Sequence, residues 1–446
     1  MPGAACFPVG VRVLAVVVLF AALAGNAAAA IDNVQVAASA SSATVTWQTT
    51  APMRGRVAYG VGGFYLYSAR ESTAATAHSV TLDDLNPSTT YSFRVGSVTG
   101  EVTTTARAAP VRFGTDGTRI TADGSLFFPV LSYEQCADTL GRALALGVNT
   151  FVQVPFTGCS QPVAVSPPYV LSDQYGAENG SGWYLPDEPD GWGITPEQMP
   201  HLPPVAQTGR LRVANVSQHF FSAQAPINDH FDRNDYKRFA ALADVIGFDM
   251  YPIVKFCGRV PLTDMFRAQR ELMTIYAPGK PTFQWIETSK MTGECPSMQI
   301  TPQIVNAETW LAIAGGACGI GYFTNSWTGD LWNRWDFDPG VEQQIATTVA
   351  GVQRLAPALC AAYGNVLVPW DGTVAASTRT LNGALYVIAV NGSDKPTRVP
   401  FRVDSLAGRT LTVLDEGRTI KPAKKVYFRD SFGPYQVHIY VAAPVS

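Results

Sequence analysis

Between about residue 110 and residue 365 the chain alternates short apolar runs with amphipathic stretches, and no other feature restricts its fold as tightly. The runs are SLFFPVLS (125–132), VNTFVQVP (148–155), Gly182–Glu188, RLRVANVSQHF (210–220), DVIGFDMYPI (244–253), KPTFQWIETS (280–289) and ACGIGYFTNSW (317–327). Between them lie CADTLGRALALG, DRNDYKRFAALA and DMFRAQRELMTIYA, which read as helices. A strand buried on both faces reads as a near-continuous apolar run, and its parallel neighbour is reached through a crossover, usually a helix. The pattern predicts a (β/α)8 TIM barrel. Seven strands are legible directly; the third is expected in the Pro- and Gly-rich stretch near Tyr169–Tyr175.

The flanks have a different period. ATVTWQTT (43–50) puts Val45 and Trp47 on one face and Thr44, Thr46 and Gln48 on the other, and similar short strands continue to about Arg107. From about Val366 the pattern is again β, in GALYVIAVNG, KPTRVPFRV, GRTLTVLDEG and YQVHIYVA. Residues 1–30 place Arg12 before an apolar run, Val13 to Leu23, and end in Ala28-Ala29-Ala30, the layout of a secretory signal peptide. The run is short for a bilayer span, an N-terminal anchor being the other reading. The expected organisation is a signal peptide (1–30), a β-sandwich (31–109), the barrel (110–365) and a second β-sandwich (366–446), in a secreted protein. No later segment looks apolar enough to insert in a membrane.

Six cysteines follow the signal, an even number that suits disulfides in an exported chain, with free buried thiols as the alternative. Cys257 and Cys295 bracket one β–α segment and are the first pairing expected. A net charge of −3 leaves no electrostatic footprint for nucleic acid. Asn391-Gly392-Ser393 is both a glycosylation sequon and a turn signal, and the turn is favoured.

Leu85, Pro87, Thr89, Tyr91 and Val95 form an L-x-P-x-T-x-Y-x-x-x-V stretch, in which the first sandwich resembles fibronectin type III domains. A similar module precedes the catalytic domain of purple acid phosphatases. A metallophosphoesterase needs Asp, His and Asn in motifs such as D-x-H and G-N-H; the five histidines, His78, His201, His219, His230 and His438, lie in none. No metal and no cofactor is expected, and no G-x-S-x-G elbow marks a serine hydrolase.

In a barrel, function collects where strands end. Strand four ends in Asp187-Glu188, strand five near His219, strand six in Asp249 and Tyr251, strand seven in Trp285 and Glu287, and strand eight in Asn325 and Trp327. Asp187-Glu188-Pro189 is similar to the Asn-Glu-Pro marker of clan A retaining glycoside hydrolases, and Glu287, ending the aromatic FQWIET, matches their second glutamate. The resemblance implies Glu188 as acid/base, Glu287 as nucleophile and Tyr251 as a hydroxyl bonded to that nucleophile. Asp187 departs from the marker: an ionised aspartate accepts hydrogen bonds but donates none, which alters the contact to a sugar 2-hydroxyl. Trp285, Trp327, Trp332 and Trp335 are candidate platforms for sugar rings, whereas Trp183 is expected to be core. The partner is then an oligo- or polysaccharide, β-linked on the resemblance. The rival expectation is a non-catalytic carbohydrate-binding protein on a degenerate barrel.

Overall fold

A computed structural model describes residues 30–63, 65, 67–83, 85, 89–105, 111–153, 169–172, 181–223, 231–289, 291, 295, 297–328, 331–334, 339–368 and 372–444. The expected signal peptide, Pro87, Cys159 and Trp335 lie outside them. The chain divides into two units, Met1–Ala109 and Pro110–Ser446.

In the first unit, Ile31–Ala38, Ala43–Met53 and Ala75–Leu82 form one antiparallel sheet. Tyr67–Arg70, Arg56–Val61, Thr90–Val95 and Val98–Thr103 form a second. Ala43, Val45 and Trp47 alternate inward along their strand and meet Val57, Tyr91 and Phe93 of the other sheet in one core. Two sheets sharing a single apolar layer make a β-sandwich.

The second unit is built on eight strands: β1 (Val130–Tyr133), β2 (Thr150–Val152), β3 (Tyr169–Ser172), β4 (Gly182–Tyr184), β5 (Leu211–Ser217), β6 (Val245–Asp249), β7 (Thr282–Glu287) and β8 (Ile320–Phe323). They pair in parallel in chain order, and β1 closes on β8 with Val130 opposite Ile320. The helices are α1 (Ala137–Ala145), α2 (Arg233–Leu242), α3 (Asp264–Glu271, continued by a π turn to Tyr276), α4 (Pro302–Gly315) and α5 (Pro339–Leu359). The β4–β5 crossover carries a single turn, Val205–Thr208, and the described residues of the two crossovers before it contain no helix. Eight complete β/α repeats are therefore more than these residues display.

Two of the apolar runs end differently from the reading above, and proline is the reason in both. Pro129 separates Ser125–Phe127, part of a three-stranded antiparallel meander, from β1. Pro186 and Pro189 supply no N–H to a ladder, so β4 stops at Tyr184 and Asp187-Glu188 lie on the turn beyond it. The meander closes one end of the barrel, where Phe113 and Ile120 join Leu131, Leu171, Val213 and Phe283 in the interior. Glycines make room for the large rings: a Cβ on Gly247 would lie 2.3 Å from Phe283, and one on Gly321 the same distance from Trp285.

Asn325–Thr328 and Leu331–Arg334 pair as a hairpin, and the strands after α5 form a six-stranded sheet and a two-stranded one around Leu385, Val387, Phe401, Phe428 and Tyr440. Arg379 joins this region to the barrel helices. Fully buried, it donates to the carbonyls of Leu359 (2.7 Å) and Ile313 (2.5 Å), at the C-terminal ends of α5 and α4. A cation suits those helix ends, where orphan carbonyls concentrate negative potential. Cys257–Cys295 is a disulfide, as the spacing suggested; Cys318–Cys360 is another, and Cys136 is also disulfide-bonded. Asn391 is buried, its Nδ2 donating to the carbonyls of Lys395 and Gly433, and its Oδ1 accepts from Ser393 N–H (3.1 Å), which is the geometry of an Asx turn. No helix among the described residues is long and apolar enough to cross a membrane.

Candidate active site

Where β1, β2 and β4 end, the backbone turns through a conformation that L-residues seldom adopt: φ is 49° at Glu134, 52° at Gln153 and 44° at Glu188. Each costs on the order of 1 kcal/mol or more, persists only where its surroundings hold it, and recurs at functional sites. Glu188 is held at both sides. Its N–H donates to the Asn215 carbonyl (3.1 Å), and its own carbonyl accepts from Gly191 (2.8 Å) and Trp192 (3.1 Å).

Asp187, Glu188 and Asp249 form one electrostatic cluster. Asn215, buried within β5, donates through Nδ2 to Asp187 (2.9 Å) and to Asp249, tying the ends of β4 and β6 across the strand between them. The Tyr184 hydroxyl donates to Asp187 (3.0 Å), and that of Tyr251 to Asp249 (2.6 Å). The Tyr133 hydroxyl, at the end of β1, lies near Asp187 and donates to Gln153 Oε1 (3.3 Å). Burial, then neighbouring negative charge, pushes the three tyrosine hydroxyls above their usual range, so they remain donors.

The carboxyl groups hold protons more tightly than in water. Glu188 is pushed up to about 7, first by desolvation and then by the charges of Asp187 and Asp190, with Lys255 opposing. Burial raises Asp187 too, against the pull of Asn215, Tyr184 and Tyr133. Asp249 is driven well above its ordinary value by burial and then by Glu188 and Asp187, against the pull of Tyr251 and Asn215, and the push from Glu188 falls away once Glu188 holds the proton. Such groups titrate as a set, and this set keeps protons into the neutral range. Asp187 and Asp249 each accept from Asn215 and from one tyrosine hydroxyl, bonds that support their anions. Glu188, whose carboxyl takes no hydrogen bond that supports its anion, is the natural carrier of a mobile proton.

A second layer sits behind Glu188. Asp190, fully buried, accepts from Ser217 through both N–H (2.9 Å) and Oγ–H (2.6 Å), and from the Tyr236 hydroxyl (3.0 Å). Ser217 Oγ, already donating, accepts from His219 Nδ1 at 2.8 Å, which leaves His219 Nε2 as an acceptor.

Glu287 stands apart from this cluster. Its Oε1 accepts from Ile253 N–H and its Oε2 from Val254 N–H, both at 2.8 Å, and Glu308 of α4 is its remaining partner. It is fully buried and pushed up to about 6 by that burial, while the groups that shift Glu188 do not include it. Tyr251 bonds Asp249, not Glu287. Trp285 is 1% exposed inside the barrel, its Nε1 donating to Tyr184 (3.2 Å), so it supports a cluster member and offers no open ring face. Asn325 is buried and donates to the Tyr133 carbonyl (3.3 Å). Trp327 and Trp332 face each other in register across a hairpin; their side chains and Trp335 lie outside the described residues. Trp183 is half-buried under the Arg210 guanidinium, 4.2 Å from the ring centre, rather than in the core.

Sequence reasoning missed Tyr133, Tyr184, Asp190, Asn215 and Lys255. Asn215 had a signal: a carboxamide in the middle of an apolar strand is costly unless its hydrogen bonds are used. Tyr133 had one as well, as the last residue of β1, at the strand end where function collects.

Residues 32–113 match the family model of the purple acid phosphatase N-terminal domain. No curated protein matches the sequence. Among solved structures the chain is similar to an Anoxybacillus alpha-amylase at 14% identity, covering 52% of this chain and 59% of that one, with a TM-score of 0.33. A GH30 endoxylanase from Clostridium papyrosolvens is 10% identical over 75% of this chain and 100% of its own, with a TM-score of 0.34. A GH2 beta-galacturonidase from Eisenbergiella tayi is 10% identical over 71% and 70%, with a TM-score of 0.35. The chain spans about three fifths of the alpha-amylases it matches, at 59% and 60% of their lengths. Among the described residues no group of three or more His, Cys, Asp or Glu is disposed to hold a metal ion.

Proposed function

We propose that the protein is a secreted retaining glycoside hydrolase acting on a β-linked glycan, with Glu188 as acid/base and Asp249 as the attacking carboxylate. One observation carries this reading: Glu188, pushed up to about 7, shares its cluster with two aspartates that hydroxyl and amide donors orient. A glycosidase needs one carboxyl protonated and one ionised, roughly 5–5.5 Å apart in a retaining enzyme. Glu287 was expected in the attacking role; we assign that role to Asp249 because Glu287 has no exposed surface and is not among the groups acting on Glu188, whereas Asp249 is.

Glu188 gives its proton to the glycosidic oxygen as Asp249 bonds the anomeric carbon and the leaving group departs. Glu188, now ionised, takes a proton from the water that cleaves the glycosyl ester, and Asp249 is released. Asp187 accepts from a sugar hydroxyl, and His219 Nε2 accepts from another. Trp327, with Trp332 or Trp335, lines a subsite. The first unit is a fibronectin type III-like module at 31–109, the barrel runs from 110 to 365 and the terminal sandwich from 366 to 446.

The test is release of reducing ends from a panel of α- and β-linked polysaccharides by wild type, Glu188→Gln and Asp249→Asn, with folding checked by circular dichroism. Release by wild type alone supports the reading. Equal release by all three removes these residues from the chemistry, and affinity for one polysaccharide without release points to the binding protein.

A further inference from the structure

Glu308, on α4, is a charged residue type with no exposed surface; neither carboxyl oxygen has a hydrogen-bond partner at normal geometry, and the Glu287 N–H is the one group nearby that favours its anion. A carboxylate in that position would bear most of its desolvation cost beside another carboxylate, so the group is held as the neutral acid. Its neighbour is the Glu287 carboxyl, which already accepts from the consecutive amides of Ile253 and Val254. Two carboxylates only accept and repel each other; an acid and a carboxylate bond well. The titratable groups acting here are Glu287 on β7, Glu308 on α4 and Tyr435 in the C-terminal β region, and no cation is among the groups that shift either carboxyl.

The amides that Glu287 grips belong to the loop leaving β6. That loop begins at Asp249 and Tyr251, carries Lys255, whose charge reaches Glu188, and is tied at Cys257 by the disulfide to Cys295. Its own turn is closed by Lys255 N–H and Phe256 N–H on the Tyr251 carbonyl (3.1 and 3.3 Å). We infer that Glu308 donates a retained proton to Glu287, and that this acid–carboxylate pair is a positioning device that clamps the β6 loop and so sets Asp249, Tyr251 and Lys255. The retained proton stands on burial and contacts alone; the positioning role rests on the glycosidase reading above.

Two measurements need no substrate. Infrared difference spectra of the full chain at neutral pH, wild type minus Glu308→Gln and wild type minus Glu308→Met, are expected to show the carbonyl stretch of one buried protonated carboxylic acid lost. Amide exchange in Glu287→Gln is expected to rise at Ile253 or Val254, because a carboxamide nitrogen cannot accept the second N–H. With a substrate in hand, Glu287→Gln should lower kcat by about tenfold, as expected for a displaced group, with KM little changed. An unchanged infrared spectrum in both Glu308 variants, or unchanged exchange in Glu287→Gln, overturns the inference whether or not the protein proves to be a glycosidase. Failure to find a substrate while both spectroscopic results hold would overturn the function and leave the proton pair standing.

Discussion

The barrel carries two sets of buried carboxyl groups, one past the ends of β4 and β6 and one between β7 and α4. In the first, Asp187 and Glu188 are half-buried and Asp249 is 8% exposed, and Asn215, Tyr184 and Tyr251 orient the aspartates. In the second, Glu287 and Glu308 have no exposed surface, and the donors to Glu287 are backbone amides of a loop. Both sets are raised by burial, so a raised proton affinity does not separate chemistry from architecture. Access and the kind of donor do. A reacting carboxyl needs a face open to substrate; a structural one has its bonding capacity spent on the fold.

If that contrast is right, the largest effects belong to the first set. Glu188→Gln and Asp249→Asn should each lower kcat by about 10²–10⁴, the range for a lost acid or base, as measured by initial rates. Asn215→Ala should follow at about 10², because one amide sets two carboxylates and a small misplacement is amplified in rate. Tyr251→Phe removes one hydrogen bond to Asp249 and should cost about tenfold in kcat/KM, the equivalent of about 1.4 kcal/mol. If Asn215→Ala had less effect than Glu287→Gln, the two sets would have to exchange roles.

The smallest effect is on stability. Glu188 is raised from 4.5 to about 7 on folding, so the native state binds more protons than the unfolded chain between those values. Stability contributed by this group therefore falls as pH rises through that window and is lowest above it. Glu188→Gln should be more stable than wild type at pH 8 by up to about 3 kcal/mol, less whatever solvent screening removes, and the gain should vanish near pH 4. Denaturant melts at the two pH values check the sign. Activity has the same direction, since a general acid near 7 is lost as pH rises past it.

Much of the architecture was legible because strand and helix periods are written in apolar spacing. Val45 and Trp47 shared a face as their alternation required, the run near Tyr169 supplied β3, and Cys257 paired with Cys295. The meander before β1 was not legible, because SLFFPVLS has uniform apolarity and only Pro129 marks the division. Among site residues, Asp187, Glu188, Asp249 and Tyr251 lie together, although Asp187 and Glu188 sit on the turn past β4 rather than at its end. Glu287 also ends a strand, but which partners a carboxylate meets there depends on a loop from β6 and a residue of α4, and neither contact is encoded near it in sequence. Asn325 and Trp285 fall under the same limit: each supports a tyrosine of the cluster, a role visible only once three strands are side by side.

The most direct test is to ask which carboxylate attacks. Asp249→Ala and Glu287→Ala would be given an activated aryl glycoside of the sugar that wild type releases, with sodium azide as a small external nucleophile. The account predicts that azide restores turnover to Asp249→Ala and yields a glycosyl azide of inverted configuration, with no such product from Glu287→Ala. Rescue of Glu287→Ala instead, with Asp249→Ala unmoved, would contradict it and make Glu287 the nucleophile.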